Sequence, residues 1–292
     1  MAVPLLPQQP APVTRRQVAL TARHLRPIQG QLSALLLALR RETDAALGPR
    51  LRPVSGKSYP LGRCQPITED VVARFRGRLA RVDGPVERAI RRFLAEGGVI
   101  RPIWGALRGL YFQNALQVGG LYVDVANDTV TVTKPKIEIL PLPESGFEAI
   151  RGPEHFAEIA ERYWGARVFA NHALPALAPI LPIVSVVPGG EARLQSASDY
   201  MIDLFRRDGF ALSEAWLAGG PVPPPEIVAE LEARGRQVLG SGPVATGAAA
   251  AVAACRQARA AEVHRDEGWR DARVMDYLRL HASGQPAAPP PR

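Results

Sequence analysis

The feature that most constrains this chain is a change of hydrophobic period at Gly97-Gly98. Before it, apolar residues recur at helical spacing: Leu32, Leu35, Leu36 and Leu39 fall at i, i+3, i+4, i+7, and Val71, Val72, Phe75 and Leu79 mark a second apolar stripe. After it the chain adopts a period of two. Val99–Trp104, Leu110–Val118, Leu121–Ala126 and Thr129–Leu140 are rich in Val, Ile, Leu, Tyr and Thr. Gly119-Gly120 and Asn127-Asp128 sit between them, where antiparallel hairpins need positive φ. The expected fold is therefore α+β: an antiparallel β-meander over about residues 99–142, flanked by N-terminal and C-terminal helical regions.

Local signals divide the arms. Thr14 is placed to cap a helix that Pro27 interrupts, and a second helix runs through Gln31–Ala46 until Gly48-Pro49. Residues 49–66 read as a long loop. A helix over Thr68–Arg81 follows, and Asp83 is placed to cap the next, with Pro85 at its first position and Gly97-Gly98 at its end. Beyond a loop at Pro141–Pro153, helices are expected over His155–Trp164, Glu191–Asp208 and Pro224–Gly235, with one or two more between Ala248 and His281; Ile180–Val187 reads as a strand or an extended, Pro-punctuated segment. Residues 1–13 and 284–292 read as disordered Pro-rich tails, leaving 14–283 as a single domain with a possible subdivision near 142–152.

Charge is unevenly placed. Residues 1–110 hold 19 Lys and Arg against 7 Asp and Glu, a net of +12, leaving −4 for the rest of a chain whose total is +8. Such a basic third attracts polyanions or acidic surfaces without choosing between them. Only two cysteines are present, Cys64 and Cys255, too few for a disulfide framework or a thiolate zinc site. The start, MAVPLLPQQPAPV, lacks the basic and apolar regions of a signal peptide, and the apolar runs are shorter than a membrane span, so a soluble cytoplasmic protein is expected.

Several constellations bear on function. Arg74, Arg78 and Arg81 lie at i, i+4, i+7 on one helix, and Arg88, Arg91 and Arg92 line the next. Two helices, a short turn and then strands is also the element order of a winged helix-turn-helix, in which such arginines meet phosphates and base edges. The competing reading is a plain helical hairpin in a chain that uses Arg as its default cation. Gly240-Ser241-Gly242-Pro243 could cradle a pyrophosphate, but the strand before it is too short and too little chain follows, so it reads as a linker. His264, Glu267 and Asp271 share a helical face, yet Arg265, Arg270 and Arg273 beside them favour ion pairs over a metal. No metal site is assigned and no cofactor is specified by any motif. Cys64 reads as a buried thiol rather than an activated one.

The strand block carries the functional expectation. Tyr111, Gln113, Asn114, Tyr122 and Asp124 put amides, phenols and a carboxylate inside strands, where each must find a partner or a ligand. Lys134 and Lys136 are two of only three lysines in the chain, and a compact ammonium at these points suits an anionic group. Three readings follow: an enzyme or small-ligand-binding protein with an anion-accepting site on the central sheet; a nucleic-acid or polyanion binder using the six arginines; and an assembly protein whose basic arm docks an acidic partner. The first requires its side chains to converge.

Overall fold

The computed structural model describes residues 4–53, 57–239 and 245–282. The Gly240–Pro243 turn and the 284–292 tail lie outside the described residues. The chain is α+β and divides into two compact units, residues 1–149 and 150–292.

In the first unit, α1 (Arg15–Leu20) is capped by Thr14, whose Oγ1 accepts from the Gln17 amide at 3.3 Å. The helical path loosens into a π turn at Thr21–Leu25 and a 3-10 turn at Arg26–Ile28, where Pro27 has no N–H to give, and then resumes as α2 (Gln29–Leu47). Helix α3 (Cys64–Arg81) begins four residues before the expected Thr68. The reason is that Pro66 falls in its first turn, where amides have no intrahelical acceptor to lose. Gly84, not Asp83, occupies the cap position of α4 (Pro85–Ala95); Asp83 instead engages Arg88 and Arg91.

The meander follows as β1 (Ile100–Leu107), β2 (Tyr111–Val118), β3 (Leu121–Asp124) and β4 (Glu138–Pro141), with β5 (Phe147–Glu148) returning to the far side of β1. All neighbours are antiparallel, in the order β4-β3-β2-β1-β5. Gly119 turns the β2–β3 hairpin at φ 61°, and a Cβ there would stand 2.3 Å from Thr21 Oγ1, so only glycine suits it. The Asn127-Asp128 hairpin and a strand over Thr129–Leu140 do not form. Residues 127–129 make a 3-10 turn instead, and regular pairing resumes only at Glu138. Thr129 turns back on the Ala126 carbonyl, Asn127 Nδ2 donates to the Pro135 carbonyl at 2.9 Å, and Pro135 itself cannot contribute to a ladder.

Cross-strand register assigns the faces. Leu116, Val118, Leu121 and Val123 point to one side and pack with Leu32, Leu36, Leu39, Ile67, Val71, Phe75, Ile90 and Phe93 of α2, α3 and α4 in a single core. Residues 4–13, expected as an unpacked tail, are seated on the sheet: Leu6 is buried and the Gln8 carbonyl accepts from the Trp104 amide at 2.9 Å. The buried Gln117 amide pairs with both backbone groups of Ala11, at 2.7 and 2.9 Å. A side-chain amide thus does what a neighbouring strand's backbone would do, and it offsets the cost of burying Gln117.

In the second unit, α5 (Pro153–Trp164) stops at Gly165 with φ 61°. A small antiparallel sheet follows, of β6 (Arg167–Ala170), β7 (Ile183–Val186) and β8 (Arg193–Leu194). The helix expected over Glu191–Asp208 is shorter, α6 (Asp199–Arg206). Gln195 is drawn into the sheet by bonds of its amide N–H to the Ile183 carbonyl and of the Ile183 N–H to its Oε1, and Ser198 is the cap that starts the helix. Helices α7 (Ala211–Gly219), α8 (Pro225–Leu239), α9 (Ala248–Ala260) and α10 (Glu267–Ala282) complete it, so the Ala-rich stretch forms two helices. Among the described residues, no helix is long and apolar enough to cross a membrane.

Candidate functional site

The face of the sheet away from α2, α3 and α4 carries the polar strand residues. Alternation puts Tyr111, Gln113, Ala115 and Gln117 of β2 there, with Tyr122 and Asp124 of β3 and Glu138 of β4 beside them. Asp124 is fully buried and accepts three hydrogen bonds: from Gln113 Nε2 at 2.6 Å, from the Tyr122 hydroxyl at 3.0 Å and from the Ala126 N–H at 2.7 Å. Burial pushes its pKa up to about 6 in spite of those donors, and the nearby Glu138 charge adds to the rise. Burial likewise drives the Tyr122 phenol well above its ordinary range, helped by the Asp124 charge, so Tyr122 remains a donor. Gln113 also donates to the Ala126 carbonyl at 3.3 Å, while its Oε1 is buried with no hydrogen-bond partner among the described residues.

At the rim of this group the half-buried Lys134 Nζ donates to the Tyr111 hydroxyl at 3.0 Å. Arg108, in the β1–β2 turn, pairs with Glu138 at 2.8 Å, and its guanidinium is near enough to Tyr111 and Tyr122 to feel both. Tyr111 and Gln113, two residues apart on one strand face, stand ~7 Å from each other. The arrangement is a buried, protonatable carboxyl with an open amide acceptor, bordered by two cations.

Of the seven residues singled out from the sequence, five belong to this group: Tyr111, Gln113, Tyr122, Asp124 and Lys134. Asn114 does not, since alternation turns it to the helical face, where its Nδ2 approaches Cys64 Sγ at 3.5 Å. Burial pushes the Cys64 thiol up, so it is no thiolate. Lys136 belongs to a separate cluster. Its Nζ pairs with Asp44 at 2.7 Å and Asp128 at 3.3 Å, and the fully buried Arg40 binds Asp128 and Asp44, each at 2.8 Å, and the Val125 carbonyl. Burial works against the Arg40 charge, but Asp128 and Asp44 outweigh it and hold the guanidinium above its ordinary pKa. Two cations meet two anions, and the Tyr59 hydroxyl closes the set on Asp44.

The arginine rows are largely spoken for. Arg74 pairs with Asp70 and Glu42, Arg78 with Glu87 at 2.6 Å, and Arg88 and Arg91 with Asp83. Arg81 and Arg92 remain exposed. In the second unit, His264 lies in a 3-10 turn at Val263–Arg265 ahead of α10, so it does not share a helical face with Glu267 and Asp271, and Glu267 engages Arg206 and Arg270.

Sequence reasoning missed Arg108, Glu138 and Arg40. Arg40 had a signal: it falls four residues after Leu36, on the apolar stripe itself, where an arginine has to be paired. Arg108 and Glu138 had none, because only the pairing of β4 with β3 brings them near the carboxyl.

The fold and this site define an α+β chain whose curled sheet buries a polar group at one end. Compared with family models, with curated proteins and with solved structures, the chain gave no match in any of the three.

Proposed function

We propose that the first unit is a small-ligand-binding module whose site is the Asp124 end of the sheet, and that it accepts a compact molecule bearing an anionic group and a hydrogen-bond donor. The supporting observation is the unpartnered Gln113 Oε1, buried beside Asp124. A buried acceptor left open costs ~1–3 kcal/mol, and a ligand N–H or O–H would recover that. Lys134 and Arg108 supply the charge for the anionic group. A carboxyl that titrates at about 6 holds or releases a proton near neutrality, so proton transfer to or from the ligand is the chemistry this end would provide. Binding of polyanions through the arginine rows is the lesser reading, because four of the six are already engaged by carboxylates.

The test is thermal stabilisation by a panel of phosphate, phosphate monoesters and hydroxycarboxylates, run on the wild type and on Lys134→Met and Gln113→Leu. Stabilisation of the wild type that is lost in both variants supports the site. No stabilisation by any member, or the same response in all three proteins, refutes it.

A further inference from the structure

The first unit also carries a groove on α3 that is separate from the Asp124 end. The groove, of about 280 Å³, is lined by Thr68, Glu69, Val72, Ala73 and Arg76 on the helix side, by Pro102, Ile103, Asn114 and Ala115 at the sheet, and by Gln8 from the seated N-terminal segment. Its sheet side is apolar except for Asn114. Asn114 is 9% exposed, its Nδ2 meets only a thiol at 3.5 Å, and its Oδ1 accepts no hydrogen bond from the described residues. The Asn114 Oδ1 therefore faces the open groove, where it can accept from water or from a ligand N–H that enters. Gln8 is held there at φ 56°, in the left-handed region, by a turn in which Leu6 N–H bonds to Gln9 Oε1 and Gln9 N–H to the Leu6 carbonyl. Strain of that kind gathers at ligand clamps.

The charges fix what the groove would take. Glu69 and Arg76 are both exposed and lie seven residues apart on α3, ~10.5 Å along the helix axis. Glu69 accepts from Gln65 through Oε1 and keeps Oε2 open, and Arg76 makes no ion pair among the described residues. An extended chain of three residues spans ~10 Å. We propose that this groove binds a short zwitterionic peptide of about tripeptide length. Its ammonium lies at Glu69, its carboxylate at Arg76, a central amide N–H on Asn114 Oδ1, and small apolar side chains rest on Val72, Ala73 and Pro102.

The experiment is titration calorimetry of the full chain with trialanine, N-acetyl-trialanine and trialanine amide. Trialanine should bind saturably, and blocking either terminus should weaken binding about two- to fivefold, the scale of one exposed charge pair. Arg76→Gln should erase the difference between acid and amide, and Glu69→Gln the difference between free and acetylated amine. Both side chains are exposed, so circular dichroism should report an unchanged fold. Absence of saturable binding at millimolar peptide, equal binding of blocked and free forms, or wild-type behaviour of both variants would each overturn the proposal. Lys134→Met, at the other site, should bind trialanine as the wild type does.

Discussion

The charge on Asp124 should make this protein less stable as pH rises through the range in which that carboxyl ionises. Its folded pKa is raised, from 3.8 to about 6, because burial disfavours the anion more than its three donors favour it. A raised carboxyl pKa means that the folded state binds the proton more tightly than the unfolded chain does. Stability from this group is therefore greatest below about 3.8 and declines until pH passes about 6, by ~3 kcal/mol in all. Carboxylates held below their ordinary pKa, such as Asp44 and Asp70, act in the opposite sense and lose their contribution as pH falls. The measurement must therefore compare the wild type with Asp124→Asn. That variant keeps the acceptor for the Ala126 N–H, and a rotated Gln113 amide can accept from the new Nδ2 through its otherwise open Oε1. Urea unfolding across the acid-to-neutral range should show the wild type losing ~3 kcal/mol relative to the variant between about pH 3.5 and pH 7.5. Carbon NMR of the Asp124 carboxyl should give a midpoint near 6. A flat difference between the two proteins, or an Asp124 midpoint in the ordinary carboxylate range, refutes the reasoning.

Two further outcomes test other parts of the molecule. Arg40→Met leaves Asp128, 4% exposed, without its guanidinium, and should cost ~3–5 kcal/mol in urea unfolding; Arg40→Met with Asp128→Leu should recover much of that, and a fully additive double variant would show that the pair is not coupled. Arg78→Gln and Arg88→Gln should elute from heparin at the wild-type salt concentration, since both side chains are engaged by carboxylates, and a clear shift to lower salt would favour the polyanion reading.

The helices and the first three strands were legible because their signals are local. Thr14 caps where its hydroxyl reaches the Gln17 amide, and Gly119 turns where a Cβ would strike Thr21. Expectation failed where a distant partner outbid a local pattern. Residues 129–137 alternate well enough for a strand, but Asp128 is bound by Arg40 and Pro135 breaks the ladder, so only 138–141 pair. Glu191–Ala197 has a helical stripe, yet Gln195 pairs with Ile183. The N-terminal prolines forbid a helix and not an extended seat, and Gln117 supplies the seat through its amide. As for the candidate site, the residue types could be read and the grouping could not. Alternation alone separates Asn114 from Gln113, whereas Arg108 and Glu138 join through the β3–β4 register, which no nearby residue encodes.

The two lysines make a last argument about how the proposed site would behave. Both were expected at an anion, and their surroundings divide them. Lys136 completes a set of two cations and two anions around Arg40, so its charge is already balanced there. Among the described residues, the Lys134 ammonium pairs with the Tyr111 phenol and with no carboxylate. The charges bordering the Asp124 end are then Lys134 and Arg108 against Glu138 and Asp124. With Asp124 ionised the sum is zero, and with it protonated the site gains one positive charge. Anion affinity in the wild type should therefore increase as pH falls through about 6, and by linkage a bound anion should raise the Asp124 midpoint. An anion whose own charge is constant over that range, such as sulfate, isolates the effect. In Asp124→Asn the pH dependence of sulfate binding should vanish. If the variant retains the full dependence, the proton is being taken up elsewhere and Asp124 is not the group that governs this end of the sheet.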